Sequence, residues 1–274
     1  MNGKVYLVGA GPGDPELLTV KALRLLRAAE VVLHDDLVTP EILKLIASTA
    51  EVQNVGKRYG SKAIRLEEIN FLMVTLAASG RQVVRLKSGD PLIFGRAGEE
   101  IEALRRAEIE YEIVPGVTSA LGAAAAAGIP LTRRQASSTL VLTAGHRASE
   151  HFDSDWNGLA GAESTFVVYM PGQDYAGMAA RRAVAGFAQE TPFAVISKAT
   201  TAEQQLHRTT ISNLHRTPKL PAPTLLVVGE VVKFADEDAV EPRTRLSELE
   251  KEFAFVLEQE TISSENRTQE EPTA

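Results

Sequence analysis

Short segments rich in β-branched residues alternate with longer helical segments through the first half of the chain. This alternation is typical of βαβ units, in which helices join the parallel strands of one sheet. We predict strands over 4–9, 31–34, 51–54, 82–86 and 111–114. We predict helices over 15–29, 40–47, 66–79 and 97–107. The first half of the chain is therefore predicted to form an α/β domain with a parallel sheet.

The second half begins with an alanine-rich helix over 118–127, which a glycine and a proline then end. Strands are predicted over 138–143, 165–170, 193–198 and 223–228, with an additional strand over 204–211. These elements predict a second α/β domain with a mixed sheet. We place the two domains at 1–116 and 117–235, and we interpret 236–274 as an acidic tail that is partly helical or disordered.

Composition excludes several classes of protein. The chain has no cysteine, which excludes disulfides, thiolate metal ligands and a thiol nucleophile. No segment holds the ~18 uncharged apolar residues that a membrane span needs. The 5 histidines show no metal-binding spacing, and residues 236–274 hold 12 acidic and 4 basic residues, so the remainder is nearly neutral. We therefore expect a cytoplasmic protein without a metal, a membrane segment or a nucleic-acid partner.

Gly9–Pro15, with the sequence Gly-Ala-Gly-Pro-Gly-Asp-Pro, separates the first predicted strand from the first predicted helix. A glycine loop at this place lets a ligand approach the backbone, although a tight turn explains the same residues. The loop is not a dinucleotide fingerprint, because Asp14 stands where the third glycine is needed, and no Gly-Lys-Ser/Thr of a P-loop follows. We predict that Asp14 caps the first helix and that Pro15 lies in its first turn.

Two further loops follow strands of the same predicted sheet. Lys87–Pro91 follows the fourth strand and Pro115–Ser119 follows the fifth. Because the carboxyl ends of parallel strands meet at one edge of a sheet, we expect both loops to face the same crevice as the glycine loop. Thr118 or Ser119 either caps the alanine-rich helix or contacts a ligand.

Charged residues at neighbouring strand ends suggest proton transfer and anion binding. Asp35 follows the second strand and Lys57 follows the third, so the two can act as an acid and a base, and a plain ion pair would have the same sequence. The basic residues of the loops and strand ends either bind a polyanionic small molecule or are simply solvated. These residues are Lys57, Arg58, Lys62, Arg65, Arg85, Lys87, Arg96, Arg133 and Arg134.

Taken together and in this order, these loops resemble the tetrapyrrole methylase family, and most closely its uroporphyrinogen-III C-methyltransferases. The resemblance runs from about 4 to 232. It is carried by Val5–Pro15, Val55–Arg58, Glu67–Asn70, Val84–Arg96, Val114–Ala120 and Gly128–Thr132. The resemblance implies two αβα domains of the class III S-adenosylmethionine-dependent methyltransferase fold, with the active site in the cleft between them, and a homodimer.

The resemblance also implies roles for single residues. Asp35 and Lys57 match the positions that transfer protons. The positions that contact S-adenosylmethionine or its product S-adenosylhomocysteine are matched by Pro12, Ser88, Gly89, Asp90, Ile93, Thr118, Ser119, Met170 and Ala199. The carboxylates of uroporphyrinogen III are a natural partner for basic side chains. The basic residues expected to bind this substrate are Arg58, Lys62, Arg65, Arg96, Arg133 and Arg134.

The implied reaction is the methylation of uroporphyrinogen III at C2 and C7, through precorrin-1 to precorrin-2, in sirohaem or cobalamin biosynthesis. We expect methylation alone, without the dehydrogenase and chelatase module to which some relatives are fused. The chain departs from the family pattern at His34-Asp35-Asp36, where Tyr-Asp-Arg is common, and at Ser88, Ala199 and Arg133. The alternatives are a methyltransferase of the same fold that acts on a corrinoid intermediate, a protein or RNA, and a non-catalytic nucleotide-binding protein.

Overall fold

The computed structural model describes residues 3–56, 64–134, 136–145, 163–172, 175 and 187–235. All of them belong to one compact unit of the chain, Met1–Pro242. The acidic tail predicted over 236–274 lies outside the described residues. Within the described part, the strands form two sheets of five strands each.

The first sheet is wholly parallel, as the alternating pattern predicts. Its strands lie in the order β3-β2-β4-β1-β5. They are β1 (Lys4–Gly9), β2 (Val31–His34), β3 (Glu51–Asn54), β4 (Val83–Lys87) and β5 (Glu110–Val114). The predicted parallel sheet is confirmed, and each predicted strand is correct to within a residue at each end. The central strands β1, β2 and β4 are almost completely buried, which is typical of a parallel sheet covered on both faces.

Helices connect these strands at nearly the predicted places. They are α1 (Val20–Arg27), α2 (Pro40–Leu43), α3 (Leu66–Ala78) and α4 (Ala97–Arg106). The helix predicted over 40–47 is thus shorter than expected, because its chain leaves the helix after one turn. Helices α3 and α4 each pack an apolar stripe against the sheet, with Met73 of α3 and Leu104 of α4 fully buried.

The helix predicted over 15–29 is divided into two elements, so that prediction is wrong as a single helix. Asp14 caps a 3-10 helix over Pro15–Leu17 and accepts a hydrogen bond from the amide of Glu16 at 2.8 Å. The backbone of Leu18 is extended, and α1 starts anew with Thr19, whose hydroxyl caps it. A threonine side chain satisfies a free amide at a helix start, and this favours the break over a continuous helix.

The second sheet is mixed, in agreement with the prediction. Its strand order is β6-β7-β10-β8-β9, in which β6 and β7 are parallel and the other neighbours are antiparallel. The strands are β6 (Thr139–Ala144), β7 (Ser164–Tyr169), β8 (Pro192–Ser197), β9 (Gln205–Thr210) and β10 (Thr224–Val228). The alanine-rich helix α5 (Ser119–Ala126) leads into this sheet, and 3-10 helices lie over Leu214–Arg216 and Glu230–Phe234.

Each sheet carries a hydrophobic cluster on both of its faces. In the first sheet, β-strand side chains of alternating direction meet α3 and α4 on one face and α1 on the other. In the second sheet, the small side chains of α5 let it approach one face closely, and Phe166 and Phe193 fill the other. Both cores therefore support rigid strands whose carboxyl ends carry loops. The domain boundary predicted between 116 and 117 stays a prediction.

Candidate active site

The loops that follow β1, β4 and β5 meet backbone to backbone at one edge of the first sheet. Gly11 and Gly89 exchange two backbone hydrogen bonds, with N–O distances of 3.1 and 2.7 Å. A Cβ on Gly116 would lie 2.4 Å from the carbonyl oxygen of Gly89, and one on Gly9 would lie 2.5 Å from the amide of Gly116. Glycine is needed here because any side chain would separate the loops. The expected convergence of the three loops is confirmed.

Asp90 joins two of these loops through backbone amides. Its Oδ2 accepts a hydrogen bond from the amide of Gly116 at 3.0 Å, and its Oδ1 accepts one from the amide of Leu92 at 2.8 Å. The preceding Gly89 has a φ of 68°, in the region that favours glycine. Both oxygens of Asp90 thus hold the loop shape, and its predicted contact with the methyl donor stays a prediction.

Tyr169, the last residue of β7, brings the second sheet to the same place. Its hydroxyl lies 2.5 Å from the hydroxyl of Thr118 and accepts a hydrogen bond from the buried amide of Ala120 at 3.1 Å. Its ring lies 4.8 Å from that of Phe94, centroid to centroid, in the loop after β4. Burial raises the pKa of the Tyr169 hydroxyl, although the hydrogen bonds with Thr118 and Ala120 oppose this change. The start of α5 is therefore held by the second sheet.

The glycine loop also contacts the loop that follows β8. The amide of Asp14 donates to the hydroxyl of Thr200 at 3.2 Å, next to the predicted donor contact Ala199. Pro12 packs on α5 where the chain has Gly122, since a Cβ at that position would lie 2.5 Å from the ring of Pro12. Ala199 and Ile93 both pack against the core of the second sheet. The structure thus brings the loops carrying Pro12, Ile93 and Ala199 together.

Non-glycine residues with positive φ are concentrated in these loops. The angles are 54° at Phe94, 57° at Arg96, 48° at Met170, 45° at Lys198 and 64° at Thr200. Such conformations cost free energy, and they persist where surrounding contacts impose them, often at functional sites. The sequence did not predict these positive φ angles, because residue preferences do not indicate such angles at bulky side chains.

Asp35, predicted to transfer protons, lies at the end of β2 in a cluster of four charged side chains. Its Oδ1 accepts a hydrogen bond from Nη2 of Arg85, and its Oδ2 lies 3.9 Å from Nζ of Lys87. Both cations also contact Oε1 of Glu100 on α4, Arg85 through Nε at 2.9 Å and Lys87 at 3.0 Å. Burial lowers the pKa of Arg85, but the charges of Glu100 and Asp35 outweigh it and raise that pKa overall. Asp35 is thus ion-paired with Arg85, and the choice between an ion pair and an acid–base pair with Lys57 stays open, because Lys57 lies outside the described residues.

The expectation that Arg85 and Lys87 contribute to an open cationic crevice is wrong. Their exposed fractions are 2% and 3%, because both side chains point from β4 to the same buried face as Val83. The sequence did carry a signal that a charge is buried beneath α4, although not which residues pair with it. Glu100 occupies a position on the apolar stripe of α4, between Ala97 and Leu104, and a carboxylate there must be either paired with a cation or protonated.

The turn before Lys57 is described only up to Gly56. Asn54 at the end of β3 donates to the carboxylate of Asp36 at 3.1 Å and accepts from the amide of Gly56 at 2.8 Å. Asp36, which stands where the family commonly has arginine, therefore stabilises this turn. Lys57, Arg58 and Lys62, which were predicted to act on protons or substrate, lie outside the described residues.

The remaining predicted substrate contacts occupy two different places. Arg65 and Arg96 are exposed and pair with glutamates of α3 and α4, at 3.1 Å and 3.0 Å respectively. Arg133 and Arg134 line a cavity of about 340 Å³ with Thr132, Ala136, Ser137, Ser138 and Glu163. This cavity lies at the amino ends of β6 and β7, whereas Met170 follows the carboxyl end of β7, about 20 Å further along the strand. The structure therefore separates these two arginines from the strand end that carries Met170.

Metal-binding groups and membrane-spanning helices are both absent from the described residues. Within the described ranges, no three side chains of His, Asp or Glu are grouped so that they could hold a metal ion. The same part of the chain contains no helix with the length and apolar character that crossing a membrane requires.

Comparison with known proteins identifies the family. The family described as Tetrapyrrole (Corrin/Porphyrin) Methylases matches residues 4–215. A uroporphyrin-III C-methyltransferase from Thermus thermophilus is 41% identical, and the match covers 87% of this chain and 99% of that one with a TM-score of 0.73. A structure of the Thermus thermophilus enzyme complexed with S-adenosyl homocysteine is 37% identical, covers 84% and 99% of the two chains, and has a TM-score of 0.74.

Longer relatives match as well. Siroheme synthase 1 of Yersinia enterocolitica is 47% identical over 231 residues, which are 84% of this chain and 49% of the relative. The chain thus spans about half the length of the curated relatives that it matches. The likeness to solved methyltransferases confirms the α/β fold expected from the sequence. The chain belongs to the tetrapyrrole methylase family.

Proposed function

We propose that the chain transfers methyl groups from S-adenosylmethionine to C2 and C7 of uroporphyrinogen III and releases precorrin-2, with precorrin-1 as the intermediate. The observation that carries this proposal is the match to the Thermus uroporphyrin-III C-methyltransferase, which extends over 99% of that chain. The siroheme synthase relatives favour sirohaem formation as the use of the product. Supply to cobalamin formation is an alternative fate of the same product.

The loops described above have the chemistry that a nucleoside methyl donor requires. Glycine backbones at Gly11, Gly89 and Gly116 permit close approach, and the exposed Met170 offers an apolar contact. Ser88 precedes Gly89 in the chain and the hydroxyl of Ser119 lies beside Gly89, and both hydroxyl groups can donate or accept hydrogen bonds. Pro12, Gly89, Asp90, Ile93, Thr118 and Ala199 complete the proposed donor site.

The donor supplies an activated methyl group, so the protein mainly has to align a carbon nucleophile with it and remove protons. When an electron-rich pyrrole carbon takes the methyl group, the carbon–sulfur bond breaks and the ring system becomes cationic. Loss of a proton then restores a neutral product. We assign the acceptance of that proton to Asp35, whose side chain is 30% exposed at the end of β2, and we assign proton donation to Lys57.

Basic residues are proposed to bind the substrate carboxylates. Arg65 and Arg96 are exposed and only paired on the surface, where an ion pair contributes little and is easily exchanged for a ligand. Arg58 and Lys62 belong to the same proposed set. Arg133 and Arg134 lie near the amino ends of β6 and β7, away from the other proposed contacts. We therefore propose that they bind a carboxylate at the outer edge of the large substrate.

An anaerobic assay tests this function. The purified protein is incubated with uroporphyrinogen III and S-adenosylmethionine, and the methyl groups added to the product are counted by mass spectrometry. We expect two added methyl groups, and a strongly slowed reaction for Asp35→Ala. Glu102→Ala, which removes an exposed carboxylate of α4, is the matched control and should react like the unchanged protein. Donor binding without any transfer would overturn the proposed acceptor.

The proposal includes a homodimer in the cytoplasm that acts on a small molecule and binds no nucleic acid. Sedimentation equilibrium with and without the methyl donor measures the assembly. A monomer at every concentration that supports full activity would contradict the homodimer.

A further inference from the structure

Asp35 is the one partly open member of a cluster that is otherwise closed to solvent. The side chains of Arg85, Lys87 and Glu100 are 2%, 4% and 0% exposed, whereas that of Asp35 is 30% exposed. The cluster has two cations and two carboxylates, so its formal charge is balanced. Its buried part thus ends at one carboxylate, and this is the carboxylate that the proposed function gives a role in proton transfer.

The guanidinium of Arg85 is held from several directions. Its Nε donates to Glu100 at 2.9 Å, and its Nη1 lies 3.3 Å from the carbonyl oxygens of Leu33 and Leu86. These partners belong to α4, β2 and β4, so the helix and the sheet together fix the plane of the guanidinium. The remaining nitrogen, Nη2, donates to Oδ1 of Asp35. Because the guanidinium is a rigid planar fork, its fixed plane also sets the direction of the Asp35 carboxylate.

The second oxygen of Asp35 is much less constrained. Among the described residues its nearest cation is Nζ of Lys87, at 3.9 Å, which is longer than a hydrogen bond. The ammonium of Lys87 instead contacts Glu100 at 3.0 Å. Among the residues that the structure describes, one oxygen of Asp35 is therefore committed to Arg85, and the other accepts no hydrogen bond and can take a proton or a hydrogen bond from a substrate.

Stability alone does not account for this cluster. A buried network of charges often stabilises a fold no more than apolar side chains of the same volume would, because each charge must lose its water. Here Oε2 of Glu100 is buried without a hydrogen-bond partner among the described residues, which adds a further cost. This costly network ends at the partly exposed carboxylate of Asp35. It is better explained by the orientation that it imposes on that carboxylate.

We infer that Arg85 is a positioning residue that orients the Asp35 carboxylate for proton acceptance, and that Glu100 holds Arg85 in the required plane. This inference rests on the proposed function, because it needs Asp35 to accept a proton. The side chain of Arg85 is only 2% exposed between the sheet and α4, so we assign it no direct contact with the substrate.

A double-mutant cycle tests whether Arg85 acts through Asp35. Arg85→Lys keeps the buried positive charge and removes the fork, and it is combined with Asp35→Asn. We expect Arg85→Lys to lower kcat on the order of 100-fold, since small misplacements of a reacting group have effects of this size. Donor binding, measured by calorimetry, should stay unchanged. In the Asp35→Asn protein the same substitution should lower kcat less than about 3-fold, because the group that it orients is already gone.

Arg81→Lys is the matched control, since Arg81 forms a surface ion pair with Glu51 at 2.7 Å and should leave kcat unchanged. If Arg85→Lys does not fold, the cycle uses Arg85→Gln with Glu100→Gln, which removes one charge of each sign. Equal losses of kcat with and without Asp35 would show a general structural role and overturn the inference, as would a full kcat in either Arg85 variant. Absence of methyl transfer by the unchanged protein would instead overturn the proposed function.

Discussion

The hydroxyl of Tyr169, at the end of β7, lies 2.5 Å from the hydroxyl of Thr118, which precedes α5. The contact joins the second sheet to the loop that follows β5, and the amide of Ala120 donates to the same tyrosine oxygen. Two predicted donor contacts, Thr118 and Ser119, therefore depend on one side chain that the sequence interpretation did not single out.

Tyr169→Phe should weaken donor binding and lower stability. The substitution leaves the buried amide of Ala120 without its partner, which costs about 1–3 kcal/mol of unfolding free energy. Calorimetric titration with S-adenosylhomocysteine and urea unfolding measure the two effects. Tyr175→Phe is the control, because the Tyr175 hydroxyl is buried and has no hydrogen-bond partner among the described residues. An equal loss in both variants would mean that the hydroxyl contacts of Tyr169 contribute nothing specific.

Gly116→Ala should separate the loops after β4 and β5. The new Cβ would lie 2.4 Å from the carbonyl oxygen of Gly89, so the backbone must move, at a cost of about 1–3 kcal/mol. Donor affinity should fall together with the thermal midpoint. Gly98→Ala is the control in α4, where a Cβ meets no atom within 4 Å, and it should stabilise by about 0.5–1 kcal/mol. Unchanged donor affinity in Gly116→Ala would separate these loops from the donor site.

Glu100→Gln should destabilise the fold far more than a surface substitution of the same kind. Among the described residues, the change leaves Asp35 as the only ion-pair partner of Arg85 and Lys87, and removing one partner of a buried pair costs about 3–5 kcal/mol. Glu102→Gln, on the exposed side of the same helix, should change the unfolding free energy by less than about 1 kcal/mol. Denaturant unfolding of both variants decides the prediction, and equal small changes would contradict it.

Two carboxylates should give opposite pH dependence. Burial raises the pKa of Asp14, so the folded chain binds a proton that the unfolded chain lacks, and its contribution to stability grows as pH falls from neutral toward about 4. Hydrogen bonds from Lys21 and Lys4 lower the pKa of Glu112, so its contribution is present at neutral pH and is lost in acid.

Unfolding by urea across this pH range measures both effects. Relative to the unchanged protein, Asp14→Asn should become less favourable as pH falls, whereas the loss caused by Glu112→Gln should shrink. The asparagine can still accept the amide of Glu16, so the cap remains in the first variant. Parallel pH profiles for the two variants would contradict the assignment.

Local pattern in the sequence was enough to predict the strands, most of the helices and the loops of the candidate site. Segments such as Val5–Gly9 have the β-branched, uninterrupted apolar composition of buried strands, and residues at strand ends share one edge of a parallel sheet by geometry alone. The order of elements therefore predicted both the parallel sheet and the meeting of the glycine loop with Gly89 and Gly116. The same local pattern failed at Thr19, where a side-chain cap divides a helix that apolar spacing alone would continue.

The partners of buried charges were decided only by the tertiary structure. Arg85 and Glu100 are close because one face of β4 packs against α4. Their separation in the sequence does not indicate that this strand face and this helix face meet. Tyr169 reaches Thr118 across two sheets for the same reason. Periodicity tells which face of an element is buried, since apolar residues recur along that face. It cannot tell which element covers that face, because this choice depends on the packing of the whole chain.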